Sequence, residues 1–263
     1  MLDFFNMGFG FDEEEQLDNF LDKALTQSTV LSLPGGKYAL YQQPDGFQCW
    51  FPLDDQNCAL DFDVHFASAQ HNTIKIRECL NHRVSERSGL YRCSIDLDEG
   101  DGYMIPDVPV NLWLPAVGMV AAWEPGKTYQ AQIVCIPKNI RMFSDKTEHG
   151  HAAKEGTVSF AAEHFVPAGT FSPRDDDLDF EQNGWAILGG RVTRARRLTN
   201  PFNGLPYDHV QITSLGLHYD ILAHPSMYTE LPRPGNILHG MFMLSAFVWD
   251  MDAPLPAWWP QLE

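Results

Sequence analysis

The fold is decided by residues 184–249, which read GWAILGGRVTRARRLTNPFNGLPYDHVQITSLGLHYDILAHPSMYTELPRPGNILHGMFMLSAFVW. Apolar and polar residues alternate along this stretch as they do in half-buried β-strands. Turn signals separate the strand patterns at 200–204 (NPFNG), 215–216 (LG) and 234–235 (PG). Short strands at this spacing are typical of small closed barrels, so we expect an OB-like β-barrel here.

Upstream of this stretch, strand patterns dominate residues 38–165, and the N-terminal part predicts one helix. Asp12 can cap that helix, the acidic residues 13–15 suit its positive end, and a stripe of apolar residues follows at helical spacing: Leu17, Phe20, Leu21, Ala24 and Leu25. Residues 144–157 (SDKTEHGHAAKEGT) lack periodicity and predict a loop. We therefore expect a mainly β, β-rich α+β protein with one N-terminal helix, a central antiparallel β region and the OB-like C-terminal barrel.

A polar, Asp-rich segment at 167–183 predicts a linker. It divides the chain into an acidic β-rich domain with the N-terminal helix (1–166) and the OB-like barrel with a Trp-rich tail (184–263). Pro-Gly pairs at 125–126 and 234–235 each precede a strand pattern, a faint echo compatible with two related β units. Whether the two β regions form one domain or two stays open at this stage.

The formal net charge of −17 is unevenly distributed. Residues 184–249 hold five Lys/Arg against three Asp/Glu, whereas residues 1–183 hold 13 against 29. A strongly acidic surface repels nucleic acid and anionic membranes and attracts basic partners. We therefore expect a basic protein partner and no membrane partner. A nucleic-acid partner is possible, but the net charge disfavours it.

The sequence has no run of roughly 18 apolar residues and no signal-peptide pattern at its start. Its five cysteines (Cys49, Cys58, Cys79, Cys93 and Cys135) contain no CxxC pair, which argues against a disulfide framework or a structural zinc site. These features predict a cytoplasmic protein with free thiols.

Several stretches resemble an uncharacterised family of bacterial proteins: FVPAGTF at 165–171, TNPFNG at 199–204, TSLG at 213–216, and Pro234-Gly235 followed by Gly240. A looser likeness at 46–51 and 63–66 extends the resemblance over most of the chain. The resemblance implies a bacterial protein with an OB-like C-terminal half, and it implies no activity. The chain departs from the family pattern at 241–248 (MFMLSAFV), where a Trp and a Gly are expected.

No nucleophile elbow, nucleotide-binding glycine loop or recognisable cysteine setting occurs, so we predict no catalytic residue and no cofactor. The weak metal candidates are Asp61, Asp63 and His65, which an extended strand would place on one face. A polar wet face of an amphipathic strand explains the same residues. His149 and His151 form a His-x-His pair, but the sequence identifies no second pair of ligands, which favours solvated histidines in a polar loop.

Four arginines, Arg191, Arg194, Arg196 and Arg197, fall on one strand pattern. Three aromatic residues are near them in sequence: Trp185, Phe202 and Tyr207. An OB barrel can bind single-stranded nucleic acid with basic residues along the backbone and aromatic rings against the bases. The arginines can instead pair with acidic residues such as 175–177, which the acidity of the chain favours.

The interpretation that fits these patterns is a non-enzymatic, acidic protein-binding module, of the inhibitor or immunity type, for a basic partner. A single-stranded nucleic-acid binder that uses 191–197 is the first alternative, and a metal-dependent enzyme that uses 61, 63 and 65 is the second. The tail residues Trp258 and Trp259 can dock on their own domain or support self-association.

Overall fold

The fold is mainly β, as the alternation predicts. The computed structural model describes residues 6, 8, 14–82, 88–100, 102–116, 123–156, 159–171, 184–200, 202–253 and 258–259, and these contain thirteen strands and two α-helices. Four strands form a first antiparallel sheet: β1 (Thr29–Leu33), β2 (Gly36–Gln42), β3 (Phe47–Pro52) and β4 (Asp63–Phe66).

The other nine strands form a second sheet. They are β5 (Asn72–His82), β6 (Gly89–Asp98), β7 (Met104–Leu114), β8 (Thr128–Phe143), β9 (His164–Val166), β10 (Trp185–Thr199), β11 (Pro206–Ser214), β12 (Leu217–Ala223) and β13 (Ile237–Asp250). Two short 3₁₀ turns, Ala168–Phe171 and Pro225–Met227, lie between them.

The large sheet closes into two five-stranded circuits that share β8 and β13. In the first, which we call the N-barrel, β5, β6 and β7 are successive antiparallel neighbours, with β8 beside β5 and β13 beside β7. In the second, the C-barrel, β10, β11 and β12 follow the same pattern, with β13 beside β10 and β8 beside β12. The third strand of each circuit runs parallel to the shared strand that closes it. Closure of this kind removes exposed sheet edges.

The shared strands relate the two barrels to each other. β8 and β13 pair antiparallel along their whole length, and Cys135 pairs with Leu244 near the middle. Cys135 follows Gly126 by the same number of residues as Leu244 follows Gly235. Both glycines occupy positive-φ turns directly before a shared strand. The Pro-Gly pairs at 125–126 and 234–235 therefore lie in equivalent turns of the two barrels.

The C-barrel differs from the prediction in one respect. A closed barrel was expected within 184–263, but its fifth strand is β8, which comes from the region before the predicted linker. Most of the linker, 172–183, lies outside the described residues. The predicted domain boundaries stay a prediction, and the hydrogen-bond ladder of one sheet runs across them.

The helices cover the outside of this β framework. α1 (Glu14–Thr26) buries Phe20 and Ala24 against the four-stranded sheet, as its apolar stripe predicts, while its expected cap at position 12 lies outside the described residues. The loop predicted at 144–157 is wrong, because α2 (Lys146–Lys154) forms there. The Asp145 carboxylate accepts hydrogen bonds from the backbone N–H groups of Thr147 and Glu148 and so starts the helix.

Buried apolar side chains from both barrels form one continuous hydrophobic cluster. A second cluster joins the C-barrel to the four-stranded sheet and α1. The thiols of Cys49, Cys93 and Cys135 are free and buried within these clusters. Neither described helix is both long and apolar enough to cross a membrane.

Candidate functional site

An acidic cleft of about 500 Å³ opens where turns of the two barrels meet. The β6–β7 turn contributes one wall, the β11–β12 turn contributes the opposite wall, and the start of α2 and the segment before β9 complete it. The lining residues are Asp98, Glu99, Gly100, Lys146, Ala161, Ala162, Glu163, Leu215 and Gly216.

A backbone hydrogen bond joins the two turns, and a bond to a side chain shapes the first of them. The Asp98 N–H donates to the Leu215 carbonyl at 2.9 Å, and the Asp98 carboxylate accepts from the Gly100 N–H at 2.8 Å. Gly216 has a φ of 78°, and a Cβ at this position would lie 2.8 Å from the Cβ of Asp98. The close approach of the turns therefore requires glycine at 216.

The cleft carries an excess of negative charge. Among the described residues that line it, three are carboxylates (Asp98, Glu99 and Glu163) and one is a cation, Lys146, whose Nζ lies 3.2 Å from a Glu163 oxygen. Elsewhere, many of the basic side chains are already paired with acidic ones: Lys75, Arg77, Arg92, Lys127, Arg197 and Arg233. Within the described residues, one of the three carboxylates of the cleft, that of Glu163, has a cation partner.

The arginine strand is β10, and two of its four arginines are engaged within the chain. Arg197 makes two hydrogen bonds, of 2.8 and 3.0 Å, with the buried carboxylate of Asp208. Arg196 donates to His209 Nδ1 at 3.1 Å and reaches the Asp45 carbonyl at 3.3 Å. Arg191 and Arg194 are exposed and form no ion pair with a described residue. The acidic stretch 175–177, an expected partner, lies outside the described residues.

The three aromatic residues predicted beside this strand do not form an open stacking surface. Tyr207 is buried, and its hydroxyl donates to the Asp45 carboxylate at 2.5 Å. The ring of Phe202 packs edge-on against Phe20, with ring centroids 4.8 Å apart. Trp185 is half-buried in the same cluster. The fold therefore uses these rings mainly to attach α1 and the four-stranded sheet to the C-barrel.

Behind the arginine strand lies a buried polar network centred on Asp220, which sequence reasoning missed. Its fully buried carboxylate accepts four hydrogen bonds, from His209 (2.7 Å), Ser68 (2.5 Å), Gln132 (2.8 Å) and Gln211 (3.2 Å). Burial raises the pKa of Asp220, but the hydrogen bonds outweigh it and hold the pKa below its ordinary value. The network joins the segment after β4 to β8, β11 and β12.

The Asp220 network also fixes Arg196. The ring of His209 bonds Asp220 through Nε2, so Nδ1 is free to accept from the Arg196 guanidinium. A small cavity of about 60 Å³ lies beside these groups and is lined by Arg194, Arg196 and the polar side chains around them. Its size suits a small anion or a few water molecules.

The three metal candidates on the N-terminal sheet do not share an open strand face. β4 begins only at Asp63 and is buried along its whole length, whereas Asp61 precedes it. Asp63 accepts from the Trp113 indole at 2.9 Å, and His65 Nε2 lies 3.3 Å from Gln132. Burial lowers the pKa of His65 to about 4. Within the part of the chain that the structure describes, no three His, Cys, Asp or Glu side chains are placed to hold a metal ion together.

The tryptophan tail docks on its own chain. Trp259 is buried and its indole N–H donates to the Ser68 carbonyl at 2.9 Å. Trp258 packs against Trp50 with ring centroids 5.2 Å apart. The tail therefore covers the four-stranded sheet, and self-association through it stays a prediction.

Comparisons of the chain with models of protein families, with curated proteins and with solved structures found no match. The resemblance to a bacterial family that the sequence suggests thus stays an expectation.

Proposed function

We propose that this protein is a non-enzymatic, cytoplasmic protein-binding module whose acidic cleft recognises a basic segment of a partner protein, in the manner of an inhibitor or immunity protein. The observation that carries the proposal is the cleft itself: a cavity of about 500 Å³ with three carboxylates and one lysine. The overall charge of −17 adds long-range attraction for such a partner.

The chemistry of the cleft suits an arginine or lysine side chain. Its guanidinium or ammonium group would receive charge-assisted hydrogen bonds from Asp98 and Glu99, and its aliphatic stem would lie against Ala161 and Leu215. Exposed ion pairs contribute up to about 1 kcal/mol each, so removal of three carboxylates should weaken binding about tenfold or more.

The test is a titration of a fluorescent nona-arginine peptide into the native chain at low and high salt. The cleft variant Asp98→Asn/Glu99→Gln/Glu163→Gln removes three carboxylates. The matched control Glu15→Gln/Asp18→Asn/Asp22→Asn removes three exposed carboxylates of α1 and so changes the net charge equally. We expect weakening of at least tenfold in the cleft variant and much less in the control. Equal loss of peptide affinity in the cleft variant and the control would show that net charge alone explains binding, and it would contradict a function specific to the cleft.

A single-stranded nucleic-acid binder is the second candidate, and one observation favours it. Arg191 and Arg194 are exposed on β10, and Arg194 also lines the small cavity beside Asp220. A labelled oligo-dT strand tests it, with Arg191→Ala/Arg194→Ala as the variant. Binding that falls steeply with salt and disappears in this variant would favour the nucleic-acid function over the protein partner.

A further inference from the structure

Three histidines from distant parts of the chain form a cluster of ring contacts beside β9 and β13. The ring of His239 (β13) contacts the rings of both His149 (α2) and His164 (β9), with centroids 4.8 Å apart for 149 and 239 and 4.7 Å apart for 164 and 239. His164 and His239 line a cavity of about 380 Å³ that is separate from the acidic cleft. Nothing in the proposed function uses this cluster.

The hydrogen-bond partners of two of these rings show which nitrogen is open to a ligand. His164 Nδ1 is 2.9 Å from the Ala161 carbonyl, which can only accept, so Nδ1 carries the hydrogen and Nε2 carries the lone pair. The backbone of Ala162 lies near His239 and acts on its pKa. Among the described residues, the Nε2 of His239 has no hydrogen-bond partner. The Nε2 of each ring is thus left open to a ligand.

These Nε2 atoms are buried and unused. His164 and His239 are each only 8% exposed, and within the part of the chain that the structure describes the Nε2 atom of each has no hydrogen-bond partner. A buried acceptor without a partner costs free energy, so its persistence calls for an explanation. Gly189 leaves the space that the rings occupy, because a Cβ there would lie 2.5 Å from His164 Nδ1 and 2.9 Å from His239 Cδ2.

Burial also affects the protonation state of both imidazoles. Burial lowers the pKa of His239 to about 4, and it lowers the pKa of His164 from its ordinary value. In both rings burial thus favours the neutral imidazole, which is the form that binds a metal ion. The Ala161 carbonyl behind the ring of His164 is the arrangement that orients metal-bound histidines in proteins.

We propose that His164 and His239 bind a divalent transition-metal ion through their Nε2 atoms at this cavity, with water or a bound ligand in the remaining positions. Imidazole nitrogen is a preferred ligand of Zn²⁺, Cu²⁺, Ni²⁺ and Co²⁺. The site rests on two protein ligands, since His149 contacts His239 but does not line the cavity. Arg141 lines the cavity as well, so an anion on the open positions of the metal has a counter-charge nearby.

Titration calorimetry of the full chain with Zn²⁺ and Co²⁺, with Mg²⁺ as the comparison ion, tests the site. Asn can keep a donor in the place of Nδ1 while removing Nε2, so His164→Asn and His239→Asn are the variants. His71→Asn is the control, because His71 is exposed and its Nδ1 also lies near a backbone carbonyl. We expect one tight Zn²⁺ or Co²⁺ equivalent in the native chain and in the control, and affinity at least tenfold weaker in each of the two variants.

A second measurement keeps the proposal testable if the variants do not fold. The electron paramagnetic resonance spectrum of the native chain with one equivalent of Cu²⁺ should show superhyperfine splitting from two imidazole nitrogens. A native chain that takes up none of Zn²⁺, Co²⁺ and Cu²⁺ would overturn the proposal. A Cu²⁺ spectrum without nitrogen coupling, or Zn²⁺ affinity that the two folded variants retain, would overturn it equally.

Discussion

Replacement of Asp220 by Asn tests how far the buried polar network stabilises the fold. One carboxylate oxygen accepts from His209 and Gln211, and the other accepts from Ser68 and Gln132. An Asn side chain offers one oxygen and one NH₂ group in the same space, so two of these donors lose their acceptor whichever way the amide turns. The geometry therefore fixes the number of lost bonds at about two.

The expected loss follows from that number. Hydrogen bonds to a charged group contribute about 1.5–3 kcal/mol each, so Asp220→Asn should lower the free energy of unfolding by about 3 kcal/mol. Removal of a buried charge also removes a desolvation cost, which acts in the opposite direction. The lowered pKa of Asp220 decides the sign, because it shows that the fold favours the ionised carboxylate over the neutral one.

Urea unfolding followed by tryptophan fluorescence measures the difference, with the exposed Asp22→Asn as the control. The ordinary pKa of Asp220 is 3.8 and its pKa in the fold is lower, so its contribution is complete well above pH 3.8 and is lost as the pH falls through the folded value. The difference in the free energy of unfolding between the native chain and Asp220→Asn should therefore become smaller at acidic pH. The reasoning would be refuted if Asp220→Asn lost no more unfolding free energy at pH 7 than Asp22→Asn does. A loss that grows at acidic pH would refute it as well.

Three further predictions concern stability and use the same urea assay. Trp259→Ala should cost about 3–5 kcal/mol because it empties a buried site, and a loss below about 1 kcal/mol would show that the tail is not docked. Arg197→Ala should cost about 2 kcal/mol because it deprives the buried Asp208 of its cation, while Arg194→Ala should stay within about 0.5 kcal/mol; similar losses would contradict this difference. The pKa of His239 is lowered from 6.5 to about 4, so stability should fall as the pH drops across that interval, and His239→Asn should reduce the dependence.

The successive strands of the C-barrel could be predicted from the sequence, and so could the N-terminal helix. Alternation and the turns at 200–204 and 215–216 predict β10, β11 and β12. The stripe of apolar residues in 17–25 predicts α1. These signals suffice because they are local: the side-chain period and the turn residues lie within each element.

The sharing of β8 and β13 could not be predicted, because it depends on pairing between distant strands. Pro137 has no backbone N–H to donate and so suggests a break within 128–143. In the structure β8 is continuous, and the register shifts opposite Met241 and Phe242, so that Lys138 is the extra residue of a bulge. The bulge accommodates the proline that suggests a break.

The candidate sites were missed for the same reason. The cleft joins turns at 98–100 and 215–216 with a helix start at 146, and no spacing in the sequence links them. The histidine cluster depends on α2, whose helical periodicity is weak and whose start depends on the Asp145 cap. A signal existed in His164 and His239, since each is a polar residue within a strand pattern.

Affinity capture from the lysate of the native host tests the central claim most directly. Three baits are compared: the native chain, the cleft variant (Asp98→Asn/Glu99→Gln/Glu163→Gln) and the α1 control (Glu15→Gln/Asp18→Asn/Asp22→Asn). Mass spectrometry and nucleic-acid quantitation then identify what salt releases. We predict one basic protein in stoichiometric amount on the native and control baits and its loss from the cleft variant. Nucleic acid in its place, or the same basic protein on all three baits, would contradict recognition by the acidic cleft.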